Sequence, residues 1–159
     1  MGKYLKLILC AGAFVFLFNS YVSAQQLFPA SDFELPDIQE NIISLSAYKG
    51  RQPVLLFFWT ASCPRCKKGL RMVRERYVAF MGEGLEILSI NVGEHPVRVR
   101  RYARAYSLVC PVLLDRRGVV AKAYGILGVP TYVLINIKGK IVFQGHYFPQ
   151  EEYKDFLPK

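Results

Sequence analysis

The stretch VLLFFWTASCPRC, residues 54–66, determines how the rest of the chain is interpreted. Its first six residues are apolar and follow Pro53, a pattern typical of a strand that is buried on both faces in a parallel sheet. A Cys-Pro-Arg-Cys motif comes next, and a charged segment with helical spacing runs from Lys67 to about Met81. The pattern predicts a pair of cysteines at the junction between a buried strand and a helix.

Cys63 and Cys66 are predicted to form a site of dithiol–disulfide exchange. Cys63 falls at the N-terminus of the helix, where unpaired N–H groups and the helix dipole favour a negative group and lower the pKa of a thiol. We therefore expect Cys63 to be the attacking thiolate. Cys66 lies one turn later on the same side, so it can close a disulfide with Cys63 and release a client from a mixed disulfide. Pro64 suits the first helical turn, because the N–H that it lacks has no partner there.

The first 24 residues are predicted to be a secretory signal peptide. Lys3 and Lys6 give a positive start, residues 7–18 form an apolar run, and residues 22–24 offer small side chains for cleavage. The apolar run is shorter than the ~17–25 residues that span a bilayer. We therefore expect cleavage, with retention of the leader as a membrane anchor as the alternative. A single domain over residues 25–159 then lies in the periplasm or otherwise outside the cytoplasm, where disulfides persist.

Charge and cysteine content agree with one exported redox domain. The chain has 159 residues and a formal net charge of +9. Of its 4 cysteines, Cys10 lies in the leader, and one pair with one odd thiol indicates a redox site rather than a disulfide scaffold. The odd thiol, Cys110, begins an apolar strand and is expected in the core. We expect the surplus of arginine and lysine to form solvated helix faces, and no nucleic-acid partner.

Arg65 lies between the two cysteines, and its charge can change the pKa of Cys63. The interaction energy of two charges ~8 Å apart at an effective dielectric constant of ~20 is about 2 kcal/mol before screening, so Arg65 is expected to lower the pKa of Cys63.

The alternative for a CxxC motif is half of a zinc site, which needs two more ligands. Outside the leader only Cys110, His95 and His146 are left. We expect no metal and no cofactor besides the redox-active disulfide, and we assign no role to the two histidines.

Strand and helix patterns alternate along the rest of the chain. Beyond a lead-in hairpin at 27–50, the patterns predict a strand at 85–92, a helix at 96–106, a strand at 109–114, a short helix at 119–124, a hairpin of strands 131–137 and 141–144, and a terminal helix at 150–157. The inner helix faces are predicted to carry Leu70, Val73, Tyr77, Phe80 and Met81, and then Val99, Tyr102, Ala103 and Tyr106. The order predicts an α/β fold with a central mixed sheet, helices on both faces and an N-terminal hairpin extension.

Several motifs resemble a known family. Phe58-Trp59 before the CPRC motif, with Gly128-Val129-Pro130-Thr131 later in the chain, looks like the thioredoxin fold. Three further stretches are similar to the ResA/TlpA-like thiol–disulfide oxidoreductases, an AhpC/TSA-redoxin-like branch of the thioredoxin superfamily: FELP at 33–36 leading to SLS at 44–46, NVGE at 91–94, and PVLLD at 111–115. The similarity covers about residues 30–158.

The resemblance implies that Pro130 is a cis-proline that packs beside the disulfide. A cis bond there would place the backbone of Val129 next to the cysteines, where it can pair with an extended segment of a client. Together with Pro64 and Arg65 in the CPRC motif, Val129 and Pro130 are the expected client-binding residues.

The resemblance also implies a role for Glu94. Thioredoxins commonly carry an acid inside the first core strand, at the position that Phe57 occupies here. In ResA-like proteins an acid in the Asn-Val-Gly-Glu stretch lies near the cysteines instead, and Glu94 matches it. Glu94 is therefore expected to take and return the proton that Cys66 exchanges.

By the same resemblance the protein is expected to be an enzyme that reduces disulfides in client proteins such as apocytochrome c. A membrane-embedded thiol donor would supply the electrons, and we expect a monomer. One alternative is a net oxidant with the same chemistry. Another is a thiol peroxidase, since Thr60 and Cys63 form a Thr-x-x-Cys, although Leu56 stands where peroxidases place a proline. A non-enzymatic metal carrier is the third.

Overall fold

The computed structural model describes residues 28–158, so the predicted signal peptide at 1–24 lies outside the described residues. Two sheets and three α-helices follow one another in the predicted order. The elements are β1 Glu34–Pro36, β2 Ile42–Ser44, β3 Val54–Trp59, α1 Pro64–Gly82, β4 Glu86–Val92, α2 Pro96–Ala105, β5 Val112–Asp115, α3 Val119–Ala123, β6 Thr131–Ile135 and β7 Ile141–Gly145, with 3-10 turns at Leu45–Tyr48 and Glu152–Phe156.

The central sheet has the strand order β5-β4-β3-β6-β7. β4 runs parallel to both β3 and β5, whereas β6 is antiparallel to β3 and to β7. All six residues of β3 are buried, as the unbroken apolar run predicts for the middle strand of a covered sheet. Because β3, β4 and β5 point the same way, the segments that leave their carboxyl ends meet at one edge of the sheet.

Alternate side chains of β3 supply two separate cores. Leu55, Phe57 and Trp59 pack with the buried residues of α1 and α2, whereas Leu56 and Phe58 pack with α3 and the β1–β2 hairpin. The period of two along a strand therefore sorts one apolar run onto both faces of the sheet. This arrangement confirms the predicted mixed sheet with helices on both faces and an N-terminal hairpin.

The two helices that follow β3 and β4 differ from the prediction at their last turns. Leu70, Val73, Tyr77 and Phe80 are buried, but Met81 is exposed. Neighbours on an α-helix are about 100° apart, so Met81 cannot share the direction of Phe80. Tyr106 is exposed as well, because α2 ends at Ala105. Within residues 28–158 no helix is both long and apolar enough to cross a bilayer.

The third central strand and the C-terminal segment are shorter than predicted. β5 begins at Val112 rather than at Val109, since Pro111 has no N–H to give to the sheet. The terminal segment forms a 3-10 turn over Glu152–Phe156 instead of an α-helix, and Pro158 limits its extension.

A buried polar pair that the sequence did not predict lies at the start of β4. Glu86 is buried, and its Oε1 accepts hydrogen bonds from the Tyr77 hydroxyl at 2.8 Å and from the N–H of Ile87 at 3.0 Å. Burial raises the pKa of the Glu86 carboxyl, because the charged form loses its hydration. Glu86 begins the strand at the edge remote from the CPRC motif, so it takes no part in the site described next.

Candidate active site

Cys63 is the N-cap residue of α1, and its sulfur is held by the helix that it precedes. The backbone N–H of Cys66 donates to the Sγ of Cys63 at 3.1 Å, while the N–H of Cys63 donates to the carbonyl of Thr60 at 3.2 Å. Pro64 occupies the first helical turn, as expected. In the reduced protein the same Cys66 N–H would reach a negative sulfur, and a hydrogen bond to a charged acceptor is stronger than a neutral one. The geometry therefore favours a thiolate at Cys63.

Cys63 and Cys66 form a disulfide, and their exposures differ. Cys66 is fully buried beneath the first turn of α1, whereas Cys63 is partly exposed. A client sulfur can therefore approach Cys63 from solvent but cannot approach Cys66. Of the two, Cys63 has the geometry of the attacking thiolate and Cys66 that of the resolving thiol.

Arg65 and Pro64 lie at the exposed rim of the pair. Both residues are exposed, and among the described residues Arg65 forms no ion pair within 4 Å. Solvent therefore screens the effect of the Arg65 guanidinium on the sulfur of Cys63.

The segment Gly128–Thr131 brings a backbone carbonyl to the exposed sulfur. The Val129–Pro130 peptide bond is cis, which is the geometry that the family resemblance implied. The carbonyl oxygen of Val129 lies 3.7 Å from the Sγ of Cys63. A disulfide has no S–H to donate, so this is a packing contact in the oxidised protein. Val129 and Pro130 therefore lie beside the cysteines, as predicted.

Glu94 reaches the segment that leads into the CPRC motif. Its Oε2 accepts hydrogen bonds from the N–H of Ala61 at 2.6 Å and from the Nδ2 of Asn91 at 2.7 Å. Its Oε1 lies 3.3 Å from the Nε of Arg98, and only 11% of its side chain is exposed. Glu94 thus ties the loop after β4 to the turn that presents Cys63.

Aromatic side chains line the floor of the site next to Glu94. The indole of fully buried Trp59 packs against the ring of Tyr102, with ring centroids 5.4 Å apart. Burial raises the pKa of the Tyr102 hydroxyl, and the nearby charges of Tyr106 and Glu94 raise it further. Trp59 is paired with Asn91 in the register of β3 and β4. Asn91 is also the residue whose Nδ2 donates to Glu94. The two aromatic side chains, Trp59 and Tyr102, and both cysteines belong to one packed cluster.

The third cysteine of the described residues stands apart from this site. Cys110 is buried, in agreement with the prediction, and burial raises the pKa of its thiol to about 11. A thiol with so high a pKa is a poor nucleophile at neutral pH. Within residues 28–158 no three histidine, cysteine or acidic side chains lie close enough together to hold a metal ion.

One residue near the site was not predicted from the sequence. His146 lies with its Nδ1 2.8 Å from the carbonyl oxygen of Pro130. The pairing of β6 with β7 brings Gly145 opposite Tyr132, and this register places His146 beside Thr131. The hairpin at residues 131–144 was predicted, but a strand register is needed to see which side chain meets Pro130.

Taken together, these residues can carry out thiol–disulfide exchange. An accessible sulfur at a helix N-terminus lies beside the backbone carbonyl of Val129, and a buried second sulfur is bonded to it. Thiolate attack on a disulfide needs such a pair: one sulfur to form a mixed disulfide and another to resolve it.

Comparison with known proteins agrees with this chemistry. The AhpC/TSA family model matches residues 28–144. The thiol-disulfide oxidoreductase ResA of Bacillus subtilis is 33% identical over 141 residues, which cover 87% of this chain and 78% of that protein. ResA of Bacillus thuringiensis subsp. konkukian is 29% identical over 159 residues, covering 96% and 91%. The crystal structure of StoA from Bacillus subtilis superimposes with a TM-score of 0.68 at 30% identity, covering 80% of this chain and 96% of StoA.

Proposed function

Because the chain belongs to the AhpC/TSA family and is a ResA-like thiol–disulfide oxidoreductase, we propose that it reduces disulfides in client proteins outside the cytoplasm. The observation that carries the proposal is the unequal pair at the start of α1. Cys63 is partly exposed and accepts the Cys66 N–H at 3.1 Å, while Cys66 is fully buried. Such a pair can attack a client and then release it without a cofactor.

The proposed reaction transfers two electrons in two exchange steps. The Cys63 thiolate attacks one sulfur of a client disulfide, which forms a Cys63–client bond and expels the other client sulfur as a thiolate. The Cys66 thiolate then attacks Cys63, forms the Cys63–Cys66 disulfide and expels the second client thiolate. The client thus gains two electrons and two protons. A membrane-embedded thiol donor would return the oxidised pair to the dithiol.

The client-binding residues follow from the surface around Cys63. We propose that Pro64, Arg65, Val129 and Pro130 contact the client, with the backbone of Val129 pairing with an extended segment beside the client cysteine. Clients such as apocytochrome c would bind in an unfolded or extended conformation. We propose that the active protein is a monomer with one domain over residues 25–159, exported by the signal peptide at 1–24.

The direction of exchange can be tested by the reduction potential of the Cys63–Cys66 pair. We expect a value nearer to the ~−270 mV of thioredoxin than to the ~−120 mV of a strong oxidant, where ~30 mV corresponds to about 1.4 kcal/mol. The measurement is equilibration of the protein with dithiothreitol and glutathione buffers, followed by thiol alkylation. A value close to ~−120 mV would show that the protein works as a net oxidant.

We also propose that Glu94 assists proton exchange at Cys66. The carboxylate is 11% exposed and accepts the N–H of Ala61 at 2.6 Å, two residues before Cys63. Its charge also raises the pKa of the Tyr102 hydroxyl, which places the carboxylate near that ring. A shielded carboxylate that is tied to the cysteine turn can take up the proton of Cys66 as that residue attacks Cys63.

The change Glu94→Gln tests this role. Gln keeps the shape of the side chain and an oxygen for the Ala61 N–H, but it cannot exchange a proton at neutral pH. We expect the rate of disulfide exchange to fall about tenfold, less than the ~10²-fold of a directly placed acid–base group, because solvent can also carry the proton. Stopped-flow fluorescence of Trp59 measures the rate.

The matched control for that experiment is Glu40→Gln. Glu40 also pairs with an arginine, its Oε1 lying 2.9 Å from the Nη2 of Arg100, but its side chain is 78% exposed and lies on the hairpin. Glu40→Gln is expected to leave the rate unchanged. An unchanged exchange rate and unchanged cysteine pKa values in Glu94→Gln would remove Glu94 from the mechanism.

A further inference from the structure

His146 touches the segment that lies against the exposed sulfur. Its Nδ1 is 2.8 Å from the carbonyl oxygen of Pro130 and 3.2 Å from the Oγ1 of Thr131. Thr131 is buried, and its hydroxyl donates to the carbonyl of Gly128 at 2.6 Å. Three consecutive contacts therefore join His146 on the edge of the sheet to the backbone on either side of Val129.

The acceptor at Pro130 determines which ring nitrogen of His146 carries a hydrogen. The carbonyl oxygen of Pro130 can only accept, so the Nδ1 of His146 must carry the hydrogen. The hydroxyl hydrogen of Thr131 is already given to Gly128, which leaves the Thr131 oxygen to accept from the same N–H. One Nδ1–H is thus shared between Pro130 and Thr131.

In the described part of the chain, few other side chains form hydrogen bonds with the backbone of residues 128–130. Among residues 28–158 the only other side chain that donates a hydrogen bond to the carbonyls of Gly128, Val129 or Pro130 is that of Thr131, and Cys63 makes a packing contact with the Val129 carbonyl. Leu127, just before it, is fully exposed. A cavity of about 260 Å³ lies outside the segment, and His146 forms part of its wall together with Leu127 and Gln144. Removal of the imidazole would leave the segment without polar support on that side.

We propose that His146 is a positioning residue that holds Val129 in place for client binding. The Nδ1–H of His146 anchors the Pro130 carbonyl, and the adjoining Val129 then presents its backbone 3.7 Å from the Sγ of Cys63. This inference rests on the proposed pairing of the client backbone with Val129. It predicts that His146 affects binding of extended peptides and not the intrinsic reactivity of Cys63.

The experiment compares three variants on two probes. His146→Leu removes the donor, and His146→Asn keeps it, because the Nδ2 of asparagine occupies nearly the place of the imidazole Nδ1. The control is Gln144→Ala in β7, which loses a bond of similar kind, from Nε2 to the carbonyl of Tyr124 at 3.2 Å. The probes are a ten-residue peptide with one cysteine, used as its symmetrical disulfide, and N-acetylcystine methylamide, which has the same disulfide without flanking chain.

We expect His146→Leu to raise the KM for the peptide disulfide about fivefold with kcat within about twofold, a size typical of one lost hydrogen bond. Its rate with the cystine derivative should equal that of the wild type. His146→Asn and Gln144→Ala should match the wild type on both probes. In long-range ¹H–¹⁵N spectra of the neutral protein, the His146 hydrogen should lie on Nδ1.

Other results would overturn the inference. An unchanged peptide KM in His146→Leu, an equal loss on both probes, a His146→Asn protein as weak as His146→Leu, or a hydrogen on Nε2 would each remove the positioning role. If the wild type itself reacts with the peptide no better than with the cystine derivative, the pairing of clients with Val129 fails, and the inference fails with it.

Discussion

A Cys66→Ser protein is expected to remain covalently bound to its clients through Cys63. Cys63 keeps its place as the N-cap of α1 and its exposure to solvent, so attack on a client disulfide still occurs. The serine hydroxyl is far less nucleophilic than a thiolate and does not displace the client. Cys110 cannot substitute, because it is buried and its pKa is raised to about 11. Turnover should fall by about 10³-fold or more, since the second step has no thiolate.

The trapping experiment has two matched controls in the same chain. Cys63→Ser should trap nothing, because the sulfur that it leaves, that of Cys66, is fully buried. Cys110→Ser should behave as the wild type and form only transient mixed disulfides. Adducts would be recovered from cells after acid quenching and alkylation, separated without reductant and identified by mass spectrometry. Trapping by Cys63→Ser would reverse the assigned order of attack, and a stable Cys66→Ser protein with no adducts would contradict the reductase proposal.

Local patterns predicted the parts of the molecule that depend on local physics. The apolar run of β3, the CPRC motif and the cap of α1 are adjacent in sequence, so their local structure can be predicted without the rest of the fold. The cis bond before Pro130 and the position of Glu94 near the cysteines were predicted from the family resemblance, because one sequence alone does not show which X–Pro bonds are cis. The contact of Glu94 with Ala61 joins residues 33 apart. Without the resemblance, that loop would have been interpreted as solvent-exposed.

Features that depend on register or on helix ends were not predicted. Met81 lies within α1 but points about 100° away from buried Phe80, and Tyr106 lies just beyond the last residue of α2. His146 was given no role, because its contact with Pro130 requires the alignment of β6 with β7, in which a bulge shifts the register between Leu134 and Ile135. A hairpin of known strands but unknown register leaves several residues as candidates for one place.

Packing between α1 and the sheet fills the space around Phe57, which is the position where the family resemblance leads one to expect an acid. The ring of Phe57 stacks on that of Tyr132, with centroids 4.5 Å apart and planes at 4°. Both residues are buried. Gly69 of α1 lies directly above them, and a Cβ there would come within 2.8 Å of the Phe57 Cζ and would overlap the Tyr132 hydroxyl. The glycine therefore provides the space that the two rings fill.

Gly69→Ala is expected to destabilise the protein by about 2 kcal/mol, although alanine is the better helix former. The exchange should gain about 1 kcal/mol of helix propensity. Overpacking of a filled core costs about 1–3 kcal/mol, and the cost should lie at or above the upper end here because neither buried ring can turn away without meeting other core atoms. Urea unfolding of the oxidised protein, followed by circular dichroism, measures the free energy of unfolding.

Gly82→Ala serves as the control, since Gly82 ends the same helix and a Cβ there would meet nothing within 4 Å. That variant should be as stable as the wild type or more stable by up to about 1 kcal/mol. Combining Gly69→Ala with Phe57→Leu should cost less than the two single changes together, because the smaller side chain frees the space that the new methyl group needs. Strict additivity of the two changes, or a Gly69→Ala protein as stable as Gly82→Ala, would show that the rings yield to the helix and that the glycine is not required by them.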